Sequence, residues 1–165
     1  MERILVSACL LGRPVRYDGA AKPVHGALMD RWRAEGRLVP FCPEVSGGLP
    51  TPRPPAELDG DAAAVLDGTA RVLTADGTDV TAAFLRGARL ALAAAERAGA
   101  RMAILKEGSP SCATHHVHDG TFTGTKTPGA GITTALLRRA GVQVFAETAL
   151  DDAAAHLARL EAAPA

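Results

Sequence analysis

The stretch Arg3-Ile4-Leu5-Val6-Ser7-Ala8-Cys9-Leu10-Leu11-Gly12 carries the reading of the fold. The run from Arg3 to Ala8 reads as apolar and β-branched and breaks off abruptly at Cys9 to Gly12. An unalternating run of this length suits a strand buried on both faces, and such strands belong to parallel sheets covered by helices. Leu38 to Phe41, Met102 to Leu105 and Val142 to Phe145 repeat the pattern, with helical segments between them. The alternation predicts an α/β fold: a mostly parallel sheet flanked by helices, with a small β-hairpin insertion.

The clearest helix is expected from about Val80 to Ala98, where Val80, Phe84, Ala88, Leu92 and Ala95 recur at helical spacing. Asp79 or Thr81 suits its start and Gly99 its end. A shorter helix is predicted over about Ile132 to Ala140, closed by Gly141, and another from near Asp151 into the tail. Within Ala64 to Ala75, Val65-Leu66 and Val72-Leu73 flank Asp67-Gly68, a dipeptide suited to a tight turn, which places the hairpin there. Leu49 to Pro55 is a rigid proline-rich loop, and no repeat or linker divides the 165 residues, so residues 1–165 read as a single domain.

The formal charge sums to zero and no long run of lysine or arginine occurs, so the electrostatic footprint of a nucleic-acid duplex binder is missing. No apolar run approaches the ~20 residues that span a bilayer. Nothing after Arg3 reads as an export signal. The expected setting is cytoplasmic, with no membrane partner, and the expected partner is a small molecule. Alanine-rich stretches such as Ala91 to Ala95 are read as composition on helices.

The chain has three cysteines, Cys9, Cys42 and Cys112. Their odd number, in a chain read as unexported, argues against disulfides and for metal or reactive chemistry. Cys9 and Cys42 directly end predicted strands, and Cys112 lies in the loop opened by Lys106-Glu107-Gly108-Ser109-Pro110. In open α/β sheets, ligands bind beyond the carboxyl ends of the strands. A single cysteine is more often a small core residue, but three in such loops depart from that pattern. No CxxC pair is present. Three thiolates are one short of the four that normally hold an iron–sulfur cluster; a cubic cluster here would leave one iron without a protein ligand, and a soft site suits a sulfur donor. Two other readings stay open: a hydrolase with Cys112 as nucleophile and His115 or His116 as its partner, and a non-enzymatic zinc-binding or sulfur-carrying module.

Several strings together resemble the thiouracil desulfidase family, which is widespread in bacteria. They are Ser7-Ala8-Cys9-Leu10-Leu11-Gly12 with Arg16-Tyr17-Asp18-Gly19, and Cys42-Pro43-Glu44-Val45 with Gly47-Gly48-Leu49-Pro50-Thr51-Pro52-Arg53. Lys106-Glu107, Ser109-Pro110-Ser111-Cys112 and Asp119-Gly120-Thr121-Phe122 with Gly124 follow in order, so the resemblance spans Ile4 to about Glu147. It implies a Rossmann-like α/β domain with a [4Fe-4S] cluster on three cysteines, matching Cys9, Cys42 and Cys112, and catalytic residues matching Glu44 and Ser109. The implied reaction replaces the thiocarbonyl sulfur of a small thiolated nucleobase, such as 2-thiouracil, with oxygen, the open iron accepting the sulfur. This sequence has Val15 where many relatives carry a further cysteine, and Ala113 where a glycine is common.

Pro43 disfavours the α region for Cys42, so Cys42-Pro43-Glu44 is expected to be extended, with Glu44 on the same face as Cys42 and able to take a proton from water. Ser109 is expected to hold substrate or relay a proton, or else to shape a turn. Lys106, Glu107 and Arg53 read equally as substrate contacts and as ion pairs. His115, His116 and His118 are read chiefly as surface or hydrogen-bonding residues, and Gly129 and Gly131 as a weak anion-binding signal before a helix.

Overall fold

The computed structural model describes residues 1–164. Strand β1 (Ile4–Ser7) runs into a 3-10 turn (Ala8–Leu11), and α1 (Ala27–Ala34) leads to β2 (Leu38–Phe41), with α2 (Pro43–Ser46) close behind. An excursion follows, β3 (Ala56–Leu58), α3 (Ala62–Leu66) and β4 (Val72–Thr74), before α4 (Thr81–Ala98) returns the chain to β5 (Met102–Leu105). Then come β6 (His116–His118), β7 (Lys126–Pro128), α5 (Ile132–Arg139), β8 (Gln143–Ala146) and α6 (Leu150–Ala162).

Four strands form one parallel sheet in the order β2-β1-β5-β8. The unalternating runs are explained by their two covers. Ile4, Val6, Met102 and Ile104 pack with Met29 and Trp32 of α1 and with Ala153 and Leu157 of α6. Leu5, Ala103, Leu105 and Val144 face the opposite way, onto Ala91 and Ala95 of α4 and Leu137 of α5. Each Leu, Ile or Val so buried stabilises the fold by roughly 1.5–3 kcal/mol relative to exposure. The chain leaves β1 towards β2 on one side and reaches β5 on the other, so the strand order switches at the carboxyl ends of β1 and β5, where α/β sheets bind ligands. No helix among the described residues is long and apolar enough to cross a membrane.

The parallel sheet, its helices and the expected bounds of α4 are as the sequence predicts. Asp79 Oδ1 accepts the Thr81 N–H at 2.9 Å at the start of α4, and Gly99 closes it. The hairpin differs. Val65-Leu66 lie in α3, because Asp61 accepts the Ala64 N–H at 2.7 Å and the alanines that follow favour a helix. Val72–Thr74 pairs instead with Ala56–Leu58, antiparallel and in a sheet separate from the main one. A second antiparallel pair, β6 with β7, has no counterpart in the sequence reading.

The expected extended Cys42-Pro43-Glu44 is likewise corrected. Cys42 is extended (φ −122°, ψ 108°), but Pro43 opens α2, a position its fixed φ suits, and Glu44 lies in that helix. The α2 turn sits directly on α4. A Cβ on Gly87 would come within 2.0 Å of the Pro43 carbonyl oxygen, so only glycine permits that contact.

Candidate active site at the carboxyl edge of the sheet

Beyond the ends of β1, β2 and β5 lies a cavity of about 500 Å³, within the range of roughly 300–1,000 Å³ common for small-molecule sites. Cys9, Cys42 and Cys112 all line it, as do Glu44 and Ser109. All three cysteines are free. Cys9 packs against the core beneath α1 and α6, and Cys112 against the core beneath α4 and α5, and both reach the cavity. Burial pushes the Cys9 thiol up to about 11, and the neighbouring Cys42 adds to the rise. Burial also raises Cys42 and, most strongly, Cys112, which feels both other cysteines. The three are close enough for the charge of one to oppose ionisation of the next.

Hydrogen bonds place Cys42 and Cys112. The Cys42 Sγ donates to the Val15 carbonyl at 3.9 Å. Ser109 Oγ accepts the Cys112 N–H at 2.8 Å, while Thr134 Oγ1 donates to the Cys112 carbonyl at 2.9 Å. The first N–H groups of α5 are taken by the same loop, Ile132 by the Pro110 carbonyl and Thr133 by that of Ser111, each at 2.9 Å. Gly131 makes that docking possible, since a Cβ there would lie 2.3 Å from the Ser111 carbonyl carbon. Gly131 therefore serves close packing, and α5 has no donors left for the anion considered from the sequence.

Glu44 is held at both oxygens. Arg53 Nε donates to Oε1 at 3.0 Å and Ser111 Oγ to Oε2 at 3.1 Å. Arg53 also donates to the Val15 carbonyl at 2.9 Å and to the Pro50 carbonyl at 3.2 Å, so it ties together three loops as an ion-pair partner. Lys106 Nζ bonds Glu147 at 2.8 Å, and Glu147 in turn accepts the Glu107 N–H at 2.8 Å. Glu107 accepts the N–H groups of Thr114, His115 and His116 at 2.9–3.1 Å and the Thr114 hydroxyl. Burial alone would raise the Glu107 carboxyl, but those donors outweigh it and hold it at about 2. Arg53, Lys106 and Glu107 thus shape the loops through ion pairs and backbone bonds.

Ser111, Ser7 and Glu147 have no role in the reading of the sequence. Ser7 accepts the Lys106 N–H at 3.0 Å and lies beside the Cys112 thiol. Its place at the last residue of a central strand, two before Cys9, was the available signal. Glu147, more than 30 residues beyond Cys112, left none. Of the three clustered histidines, His118 lines the cavity. His115 is exposed and its Nδ1 bonds the Thr114 hydroxyl at 2.7 Å, and His116 is exposed too, so neither is paired with buried Cys112 as a hydrolase would require. No three His, Cys, Asp or Glu side chains among the described residues are arranged to hold a single metal ion.

Three comparisons bear on this arrangement. The family described as 2-thiouracil desulfurase matches residues 4–149. The Bacillus subtilis (strain 168) protein YbbK is 46% identical over 152 residues, 90% of this chain and 98% of its own. The solved structure of a [4Fe-4S]-dependent thiouracil desulfidase, TudS, superposes with a TM-score of 0.89 at 52% identity, covering 96% of this chain and 99% of that one. The match spans both the sheet and the loops that carry the cysteines, and by it the chain belongs to the 2-thiouracil desulfurase family of enzymes.

Proposed function

We propose that this chain, acting as one domain over residues 1–165, replaces the thiocarbonyl sulfur of a small thiolated nucleobase such as 2-thiouracil with oxygen, using a [4Fe-4S] cluster held by Cys9, Cys42 and Cys112. The observation that carries the reading is the convergence of all three cysteines on one cavity that also presents Glu44. The donor set fits the group. Three free, soft sulfurs share the cavity, and being three rather than four they would leave one iron without a protein ligand. Bound there, the cluster supplies a Lewis-acid iron with an open position suited to a soft sulfur. Reduced thiols and such a cluster suit the cytoplasm.

The chain's own groups account for the remaining requirements. Arg53 and Ser111 fix the plane of the Glu44 carboxylate, and an ionised carboxylate has about four lone-pair sites, so two donors leave room for a water. Glu44 takes the proton of that water as it attacks the thiocarbonyl carbon. Ser109 holds the Cys112 backbone through its oxygen and keeps its own proton to donate into the cavity. One water enters and one hydrogen sulfide leaves for each thiocarbonyl converted to carbonyl, with no net oxidation.

The test is sulfide release from 2-thiouracil by anaerobically reconstituted protein, compared with Glu44→Gln. Equal amounts of sulfide and uracil are expected from the unmodified chain, and Glu44→Gln should keep its iron while losing about 10²- to 10⁴-fold in rate. Sulfide release that survives removal of iron by a chelator would refute the cluster's part, and an unchanged Glu44→Gln rate would refute the base.

A further inference from the structure

Phe122 stands apart from the other large apolar side chains. It is half-buried, belongs to none of the three hydrophobic clusters, and lines the cavity. Its φ of 57° is left-handed, a region that a bulky residue avoids and keeps only when its surroundings over-determine it. Asp119 accepts the Thr121 N–H at 3.0 Å within the same loop, and one carboxylate from outside it reaches Phe122 itself. Glu57, 9% exposed on β3, accepts through Oε1 the N–H of Gly120 at 3.0 Å and that of Phe122 at 3.2 Å. The loop also lies flat on β3, since a Cβ on Gly120 would come within 2.6 Å of the Leu58 carbonyl oxygen. No cation pairs with Glu57 among the described side chains, so its charge is spent on the backbone of this loop.

Two other aromatic residues line the cavity. Phe41 packs against the core beneath α4 and α5, and the Arg16 guanidinium lies 5.9 Å from the centre of the Tyr17 ring. Phe122 is the cavity aromatic with neither commitment. We propose that Phe122 is the platform on which the flat ring of the thiolated nucleobase stacks, and that Glu57 is the positioning residue that holds it over the cavity. The inference rests on the reading of the site as a desulfidase and adds the residues that would recognise the substrate's ring. Every nucleobase presents a π-face, so an aromatic platform recognises the ring without reading its edge.

Two measurements on anaerobically reconstituted protein test this: KM and kcat for 2-thiouracil from sulfide release, and calorimetric affinity for uracil, which has the ring but no sulfur to lose. Phe122→Ala should raise KM and weaken uracil by about 5- to 100-fold, the loss of one stacked base, with kcat little changed. Phe122→Tyr, which keeps the ring, should restore both. Glu57→Ala should reproduce the change, Glu57→Gln should retain most of the affinity because its amide oxygen accepts the same two bonds, and the double alanine variant should be no worse than either single one. Unchanged KM and uracil affinity in Phe122→Ala overturn the platform, and Glu57 and Phe122 effects that multiply overturn the positioning role. Phe122-dependent uracil binding without sulfide release would uphold the platform and reject the desulfidase reading; sulfide release indifferent to Phe122 would do the reverse.

Discussion

The two ends of the central sheet both carry ion pairs, and the difference between them separates scaffold from site. At the amino end, Arg101 bonds Glu2 at 2.5 Å and Arg37 bonds Glu161 at 2.6 Å, joining α6 to the residues just outside the sheet. The Arg101 side chain is 52% exposed. At the carboxyl end, Arg53 and Glu44 meet at 3.0 Å with side-chain exposures of 4% and 13%, and both line the cavity. Exposed pairs are screened by water and contribute little, whereas a buried pair is costly to break because the remaining charge is stranded. At the amino end the Arg101 pair is open to water while Arg37, 10% exposed, ties α6 to the foot of the sheet; at the carboxyl end charge orients a carboxylate beside the cavity.

Arg53→Met gives the largest effect expected of this contrast, a loss of about 1.5–3 kcal/mol in denaturant unfolding, because it takes the guanidinium from a half-buried Glu44. Arg53 also bridges the Val15 and Pro50 loops, so activity should fall with it. A cost no larger than that of an exposed pair would erase the distinction between the two ends.

Glu107 sharpens the comparison through pH. Its carboxyl is held at about 2 against an ordinary value of 4.5, so it contributes stability that is fully present above 4.5 and is lost as pH falls towards 2. Glu107→Gln should melt below the unmodified protein at neutral pH, and the gap should narrow across that acidic window. A gap independent of pH would mean that the Thr114 to His116 backbone is held by something other than the charge. The smallest effect is expected at the amino end, where Arg101→Ala should leave the melting temperature nearly unchanged.

Much of this was legible because buried parallel strands and amphipathic helices announce themselves by period. Leu38 to Phe41 and Met102 to Leu105 are strands at those very bounds, and the three cysteines follow strands as expected. Local ambiguity hid the rest. Val65-Leu66 suits a strand or a helix, and the Asp61 cap decides it. Pro43 restricts the residue before it and also opens a helix, and the second property set the place of Glu44. The β6 and β7 strands are three residues each, and the loop between them is fixed by Glu57, about 60 residues away in sequence. No local pattern can report a bond of that range.

The most direct test is the iron and acid-labile sulfide content of the anaerobically reconstituted chain, measured beside Cys9→Ser, Cys42→Ser and Cys112→Ser. Expected are about four irons and four sulfides per chain in the unmodified protein, with broad visible absorbance, and a clear deficit in every variant. Uptake of one zinc with no iron, or a full cluster in any one of the three variants, would contradict the assignment of the cluster to these cysteines.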